Sequence, residues 1–184
     1  INGDIDSLKI GDFCGYTVKI NGNAGCSGVK NGTLEVTGKL KAMQCTVYSD
    51  GKIIAGEFET VGNFSSPYRV IDILGKVEVK GNLTVPEYSE FNIHETGHVL
   101  VHGNYHGNGY ANVRKGLFEA KGDVTQQSNI LPGAELLLSG NGVDNCKRIV
   151  TVNTLCMHLI GIEACTETCN HIKSHSFSSG LTAH

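Results

Sequence analysis

The chain has 184 residues, of which 24 are glycine, 3 are proline and 7 are cysteine. Glycine is about twice as frequent as in an average protein. The low proline content and the absence of a G-x-y period nevertheless exclude collagen, and a content of 40% apolar residues argues against a disordered linker. A formal net charge of −3 gives no reason to expect nucleic-acid binding, and no apolar run approaches the roughly 20 residues that span a bilayer. The start, Ile1-Asn2-Gly3-Asp4, has neither an initiator Met nor a signal peptide and indicates a mature chain or an excised fragment.

A short pattern recurs along the chain: glycine, five alternating residues, glycine, a polar residue and usually an apolar one. Clear copies begin at Gly32, Gly56, Gly75, Gly97 and Gly116. Looser copies, with one extra residue, begin at Gly15 and Gly133, so that successive starts are 17 to 24 residues apart. Repetition at about 20 residues, with one short strand and glycine corners in each copy, is typical of a β-solenoid.

Each copy alternates apolar and polar residues, which predicts a β-strand with one buried face. In the copy that begins at Gly32, Leu34 and Val36 face one way and Glu35 faces the other. The later copies predict these inward residues: Phe58 and Thr60, Val77 and Val79, Val99 and Val101, Phe118 and Ala120. We therefore predict an all-β fold, a single-stack β-solenoid (β-helix) with coils of about 20 residues, over residues 1–145. A β-sandwich also has short strands and frequent turns, but it does not explain a pattern that returns at this period.

The glycines that close the copies are predicted to be the corners of the coils. They are Gly38, Gly62, Gly81, Gly103 and Gly122. Glycine permits positive φ at such corners, and the Asn or Asp that follows most of them tolerates the left-handed region. Residues 146–184 are predicted to form terminal coils and a tail rich in cysteine and histidine.

The segment from Gly97 to about Ile162 resembles a β-solenoid repeat region of large secreted or surface proteins of Gram-positive bacteria. The likeness rests on VLVHGNY at 99–105 and GLFEAKGDVTQ at 116–126. The first 40 residues resemble a bactofilin, a bacterial β-helix that polymerises end to end, through INGDI at 1–5 and GKLKA at 38–42. The two resemblances imply a bacterial solenoid, and the second implies end-to-end association.

The string His94-Glu95-Thr96-Gly97-His98 matches the H-E-x-x-H pattern of zinc metalloproteases. That chemistry needs a helix, on which histidines four residues apart share one face. Here Gly97 is a repeat corner and the following residues alternate as a strand, where residues four apart are separated by about 13 Å. We interpret the match as coincidental and predict that the chain is not an enzyme of this kind.

Two sets of outward-facing residues, histidines and glutamates, can be interpreted either as an ordinary solvated surface or as a binding surface. His102 and His106 continue the four-residue series of His94 and His98; we interpret them as polar surface residues, with metal binding between neighbouring coils as the alternative. A second set of residues is predicted to stack at the central outward position of the strands: Glu35, Glu59, Glu78 and Glu119. A solvated face is favoured over a cation or carbohydrate surface, and nothing in the sequence singles out the paired carboxylates that glycoside hydrolysis needs.

The seven cysteines are bunched towards the two ends of the chain. They are Cys14, Cys26, Cys45, Cys146, Cys156, Cys165 and Cys169, and all are candidates for disulfides or cross-links. This distribution is typical of an oxidising compartment, so we predict an extracellular or cell-surface protein. An odd number leaves one thiol free or paired between molecules. Cys165, Cys169, His171 and His175 supply four zinc ligands, but their spacing does not match the usual zinc fingers, and no metal or cofactor is predicted.

The expected function is structural: a self-associating subunit or segment of an extracellular fibre or surface appendage, with coils stacked end to end and cross-linked by disulfides. The expected partners are further copies of the chain or adjoining repeats. Two alternatives stay open. One is a surface adhesin module that binds carbohydrate, and the other is a polysaccharide-processing β-helix enzyme.

Overall fold

The computed structural model describes residues 1–9, 11–61, 69–87, 89–107, 109–125, 128–130 and 134–138. These residues form parallel sheets stacked as a β-solenoid, with coils about 19 residues apart, which confirms the predicted fold and its period. The described part of the chain contains strands and no helix, and therefore no helix able to span a membrane. The predicted cysteine- and histidine-rich segment, 146–184, lies outside the described residues.

The strands are more numerous than the one per copy that the sequence predicted, and most are short, although Gly32–Ala42 has 11 residues and Gly51–Thr60 has 10. In chain order they are β1 (Ile5–Leu8), β2 (Gly11–Asp12), β3 (Thr17–Ile20), β4 (Ala24–Cys26), β5 (Gly28–Lys30), β6 (Gly32–Ala42), β7 (Cys45–Val47), β8 (Gly51–Thr60), β9 (Arg69–Ile73), β10 (Lys76–Val79), β11 (Leu83–Val85), β12 (Ser89–Ile93), β13 (His98–Val101), β14 (Tyr105–Gly107), β15 (Tyr110–Val113), β16 (Leu117–Ala120), β17 (Ser128–Ile130) and β18 (Glu135–Leu138). Most coils contribute one strand segment to each of three parallel ladders, and β6 and β8 each run through two of them.

The three ladders share the direction of stacking. The first ladder contains β3, the first halves of β6 and β8, β10, β13, β16 and β18. The second contains β1, β4, the second halves of β6 and β8, β11 and β14. The third contains β2, β5, β7, β9, β12, β15 and β17. Parallel pairing places the paired residues above one another, so that a column of side chains runs along the stack.

The core consists of the inward columns of these ladders. One inward column of the first ladder is fully or almost fully buried, and it consists of Leu34, Ile53, Val77, Val99 and Phe118. Four of these five residues were predicted to face inward from the alternation, and Ile53 was not. Aromatic rings join the columns of different ladders. Tyr105 of the second ladder meets Phe118 edge to face, with ring centroids 4.9 Å apart. Such contacts add to the free energy gained from burying aliphatic surface.

The copy that begins at Gly56 lies in a different ladder from the one predicted. Gly32 pairs with Gly51, and Leu34 pairs with Ile53, whereas Phe58 pairs with Leu40 in the second ladder. The prediction aligned Phe58 with Leu34 and was wrong in this register. The reason is that β8 contains the glycine-and-alternation pattern on both sides of one corner. Backbone hydrogen bonding decides which half stacks on which strand.

The predicted corner glycines occupy one column, but for a reason other than positive φ. Gly38, Gly81, Gly103 and Gly122 lie in this column, and Gly62 lies outside the described residues. None of these four has a positive φ; the described glycines that do are Gly3, Gly15, Gly32 and Gly107. Gly22 and Gly56 complete the column between Gly3 and Gly81.

Close approach between coils explains why glycine is needed in this column. A Cβ on Gly103 would lie 2.5 Å from the carbonyl oxygen of Gly81, and a Cβ on Gly81 would lie 2.7 Å from the carbonyl oxygen of Gly56. The Gly103 amide donates to the same Gly81 oxygen at 2.9 Å. The corner column is therefore a line of backbone-to-backbone contacts that leaves no room for a side chain.

The Asn and Asp residues after these glycines also differ from their predicted role. The side-chain oxygen of Asn82 accepts the backbone N–H of Asn104 at 2.8 Å, and that of Asn104 accepts the backbone N–H of Asp123 at 2.9 Å. None of the three has a positive φ; among the described residues other than glycine, Cys14 and Asn31 do. These side chains therefore tie each coil to the next instead of permitting a left-handed backbone.

Candidate functional site

The outer face of the first ladder carries a column in which glutamate and aliphatic residues alternate after an initial lysine. The residues that pair through its centre are Lys19, Glu35, Ile54, Glu78, Leu100, Glu119 and Leu137. The predicted stack of glutamates is therefore wrong at Glu59, which pairs with Lys41 and Thr84 in the second ladder. Because an aliphatic residue separates successive glutamates, no two of these described carboxylates are direct neighbours along the column.

Glu78 lies at the centre of a cluster of positive groups on this face. Its carboxylate lies 3.5 Å from Lys52 Nζ and 3.2 Å from His102 Nε2, and it also pairs with Lys80. The Lys80 ammonium is the main cause that lowers the pKa of Glu78 to about 2, against the opposing effect of burial. Glu78 is thus a compensated carboxylate that links its own coil to the coils on both sides. This arrangement is poorly suited to a general acid, which needs a raised pKa.

Other ion pairs on the described surface also join neighbouring coils. Lys19 Nζ lies 2.7 Å from Glu35 Oε1, and Lys39 Nζ lies 3.3 Å from Glu57 Oε2 and 3.2 Å from Glu59 Oε2. The two glutamates raise the pKa of Lys39, with Glu59 contributing most. Since these groups are substantially exposed, each pair contributes little to stability, and their arrangement is that of a solvated face.

The H-E-x-x-H string lies in a turn and at the first residue of β13, so its two histidines do not share a helical face. His94 Nε2 lies 2.8 Å from Asp72 Oδ1, whereas His98 Nε2 lies 3.9 Å from Glu119 Oε2. His106 Nε2 lies 3.1 Å from Thr84 Oγ1. His94 and His106 therefore each contact a polar side chain of a neighbouring coil within hydrogen-bond distance, whereas the buried His98 Nε2 makes no hydrogen bond in the described part of the chain and lies only within ion-pair distance of Glu119. Within the described residues, no three His, Cys, Asp or Glu side chains are grouped so that they could hold a metal ion.

A polar column in the third ladder was not anticipated from the sequence. Asp72, Asn92 and Asn112 pair in register, and the side chain of Asn112 donates to Asn92 Oδ1 at 2.8 Å. Asn92 is 4% exposed, so it is a buried amide that takes part in a ladder along the stack. The signal available in the sequence is an Asn or Asp immediately before Ile or Val, at positions 72, 92, 112 and 129.

The three described cysteines fall into two environments. Cys14 is exposed in the turn between β2 and β3, where its φ is 50° and its N–H donates to Asp12 Oδ1 at 3.0 Å. Cys26 and Cys45 are buried, and their sulfur atoms lie 3.9 Å apart. The other four candidate cysteines, Cys146, Cys156, Cys165 and Cys169, lie outside the described residues.

The pKa values of the two buried thiols are shifted in opposite directions. The S–H of Cys45 donates to the sulfur of Cys26, which lowers the pKa of the Cys26 thiol. The same contact, together with burial, raises the pKa of the Cys45 thiol. Cys26 is therefore the member of the pair more easily converted to the nucleophilic thiolate.

Comparisons with protein-family models, with curated proteins and with solved structures found no match. The β-solenoid fold therefore rests on the strand pairing of the chain itself. The resemblance to bacterial surface repeats and to bactofilins supports a proposal of function, given below, and does not assign the chain to a family.

Proposed function

We propose that the chain is a structural, self-associating subunit or segment of an extracellular fibre or surface appendage. In this proposal the solenoids stack end to end and disulfides cross-link the joints. The observation that carries the proposal is the open strand edge of the first coil. β1 has one partner, β4, and β2 has one partner, β5, among the strands of the described residues.

The backbone of Asn2 illustrates how this edge is arranged. The N–H of Asn21 donates to the carbonyl of Ile1 at 2.8 Å, and the carbonyl of Asn21 accepts the N–H of Gly3 at 3.1 Å. In this parallel bridge the N–H and C=O of Asn2 face away from Asn21 and towards the end of the stack. Unpaired strand groups of this kind are a template for pairing with another chain.

The column pattern favours continuation of the stack over a closed end. The same parallel pairing, glycine corner and side-chain-to-backbone bonds recur from coil to coil, so a further coil added at the open edge would repeat contacts already present. The end-to-end polymerisation of bactofilins, which residues 1–5 and 38–42 resemble, supports the same proposal.

Cys14 supplies a thiol beside the open edge. It is the exposed one of the three described cysteines, and it follows β2, a strand of the first coil. An exposed thiol in this place suits a cross-link between chains, and the abundance of cysteine towards both ends of the chain favours an oxidising, extracellular location.

Sedimentation velocity and negative-stain electron microscopy of the full chain test self-association. The informative variant is Asn2→Pro, which removes the outward N–H, and its control is Asn2→Ala, which keeps that N–H while removing the same side chain. We expect Asn2→Pro to raise the protein concentration needed for assembly roughly tenfold relative to Asn2→Ala. A wild-type chain that stays monomeric at every concentration would contradict the proposal, and glycan binding by such monomers would favour the adhesin alternative.

Non-reducing electrophoresis tests the cross-links separately. We expect the oxidised wild-type chain to give a ladder of multimers that reductant collapses, and Cys14→Ser to weaken that ladder strongly while leaving the filaments seen by microscopy. An unchanged ladder in Cys14→Ser would show that Cys14 does not cross-link the joints.

A further inference from the structure

Cys26 and Cys45 lie on consecutive coils, diagonally across one corner of the solenoid. Register places Gly25 beside Lys41 in the second ladder and Gly28 beside Thr46 in the third, so Cys45 lies next to Ser27, the neighbour of Cys26. A coil spacing of about 4.8 Å combined with one residue step of about 3.8 Å gives a Cα separation of roughly 6 Å. That separation is within the range found in disulfides.

We propose that Cys26 and Cys45 form an intrachain disulfide that staples two consecutive coils, so that Cys14 is the described cysteine left for cross-links between chains. The sulfur atoms, 3.9 Å apart, already face one another inside the corner. A bond of about 2.05 Å requires them to approach by rotation about the Cα–Cβ bonds. The proposal is independent of self-association, since the bond forms within one molecule.

The surroundings favour this pair over other partners. Cys26 is 4% exposed and Cys45 is 1% exposed, so neither sulfur presents itself to another chain. Cys14, in contrast, is exposed. Burial thus separates the described cysteines into an inner pair and one accessible thiol.

The chemistry balances with a peroxide as the oxidant. The Cys26 thiolate attacks one oxygen of hydrogen peroxide; the S–O bond forms, the O–O bond breaks, and hydroxide leaves and takes up the proton that Cys26 released. The sulfur of Cys45 then attacks the sulfenic sulfur of Cys26, so that the S–S bond forms and the S–O bond breaks. The departing oxygen takes the Cys45 proton and leaves as water. In total two thiols are oxidised to one disulfide, and one peroxide is reduced to two waters.

Trypsin places each of these cysteines on its own peptide, because lysines flank them. Cys14 lies on 10–19, Cys26 on 20–30 and Cys45 on 42–52. The full chain is reduced, desalted, treated with hydrogen peroxide, and then unfolded with iodoacetamide present to alkylate the remaining thiols. The monomer fraction is digested and analysed by mass spectrometry with and without a second reduction.

We expect one linked species that contains 20–30 and 42–52 and that reduction separates, while 10–19 from the monomer stays alkylated. The Cys14→Ser variant should give the same linked species. The Cys26→Ser variant should leave 42–52 alkylated. Recovery of 20–30 and 42–52 as alkylated single peptides from the wild-type chain, or their linkage chiefly to other cysteines, would overturn the proposal. Because only the monomer is analysed, this result does not depend on whether filaments form.

Discussion

Substituting alanine for Gly103 tests the close backbone contact at the corner column. The added methyl group would lie 2.5 Å from the carbonyl oxygen of Gly81 and 2.6 Å from Asn82 Oδ1. Both atoms are held by hydrogen bonds from the coil above: Gly81 O accepts the amide of Gly103, and Asn82 Oδ1 accepts the amide of Asn104. The methyl group can be accommodated only if the two coils move apart at this corner.

The expected cost combines overpacking with weakened hydrogen bonds. Relieving the contact to an ordinary carbon–oxygen separation requires a local shift of roughly 0.7 Å, which costs about 1–3 kcal/mol by analogy with overpacked cores. Lengthening the two hydrogen bonds adds about 1 kcal/mol. Alanine restricts the unfolded chain and returns about 0.4–1 kcal/mol. We therefore expect a net loss of about 1–3.5 kcal/mol, which lowers Tm by roughly 2–14 °C in a chain of this size.

Circular dichroism at a β-sheet wavelength, followed during heating and during urea titration, measures this loss. The matched control is Gly11→Ala. There the nearest atoms to an added Cβ belong to the partly buried side chain of Phe13 and not to the backbone of a neighbouring coil, and Gly11 has no positive φ. We expect the control to change Tm little. If Gly103→Ala were as stable as Gly11→Ala, the coils would not be in backbone contact at this corner and the reasoning would fail.

Two further substitutions test the polar contacts between coils, one through pH and one through burial. The pKa of Glu78 is lowered to about 2, so its contribution is complete above the unfolded pKa of about 4.3 and is lost as pH falls towards 2. The free energy of unfolding of Glu78→Gln, measured by urea titration, should therefore fall below that of wild type by on the order of 1–2 kcal/mol at pH 6 and approach it near pH 2. The exposed control Glu95→Gln should change little at either pH, and a difference for Glu78→Gln that persists at pH 2 would argue against this ion cluster. Asn92→Ala should lower the free energy of unfolding, measured in thermal melts, by about 1–3 kcal/mol because it removes the buried oxygen that accepts a hydrogen bond from Asn112. The control Asn2→Ala removes a side chain from an exposed Asn–Asn contact and should lower it by less than about 1 kcal/mol. Equal losses would mean that burial of the Asn92 side chain is unimportant.

The columns themselves were largely predictable, because inward and outward residues alternate strictly within a strand. Leu34, Val77 and Val99 were placed in the core from alternation alone, and they are buried. The register of β8 was not predictable. Glycine begins both of its halves, and the predicted alignment placed Glu59 beside Glu35, in the first ladder, where Ile54 lies instead.

The contacts between coils were the part that local pattern could not reveal. Cys26 and Cys45 are 19 residues apart, which is one coil, yet the sequence does not say that they turn towards each other across a corner. The Asn92 column likewise shows a spacing in the sequence but not its burial. Such contacts depend on the register between consecutive coils. That register is determined by backbone hydrogen bonds and by packing along the whole stack.

By itself the sequence determined the fold class, the period of the coils and the part of the hydrophobic core that comes from one strand in each copy. These follow from spacing, because glycine recurs at intervals of 17 to 24 residues and apolar side chains alternate with polar ones. Core residues of the other ladders, such as Leu40, Ile71 and Phe91, were not predicted. The tertiary structure alone decided why the glycines are needed. Gly81 and Gly103 do not occupy left-handed corners; they lie where the carbonyl of one coil approaches the next too closely for a Cβ. The physical reason is that φ describes the backbone of a single residue, so a local sequence pattern can suggest it. The distance between two coils is set only when the coils stack, so no local pattern reveals it.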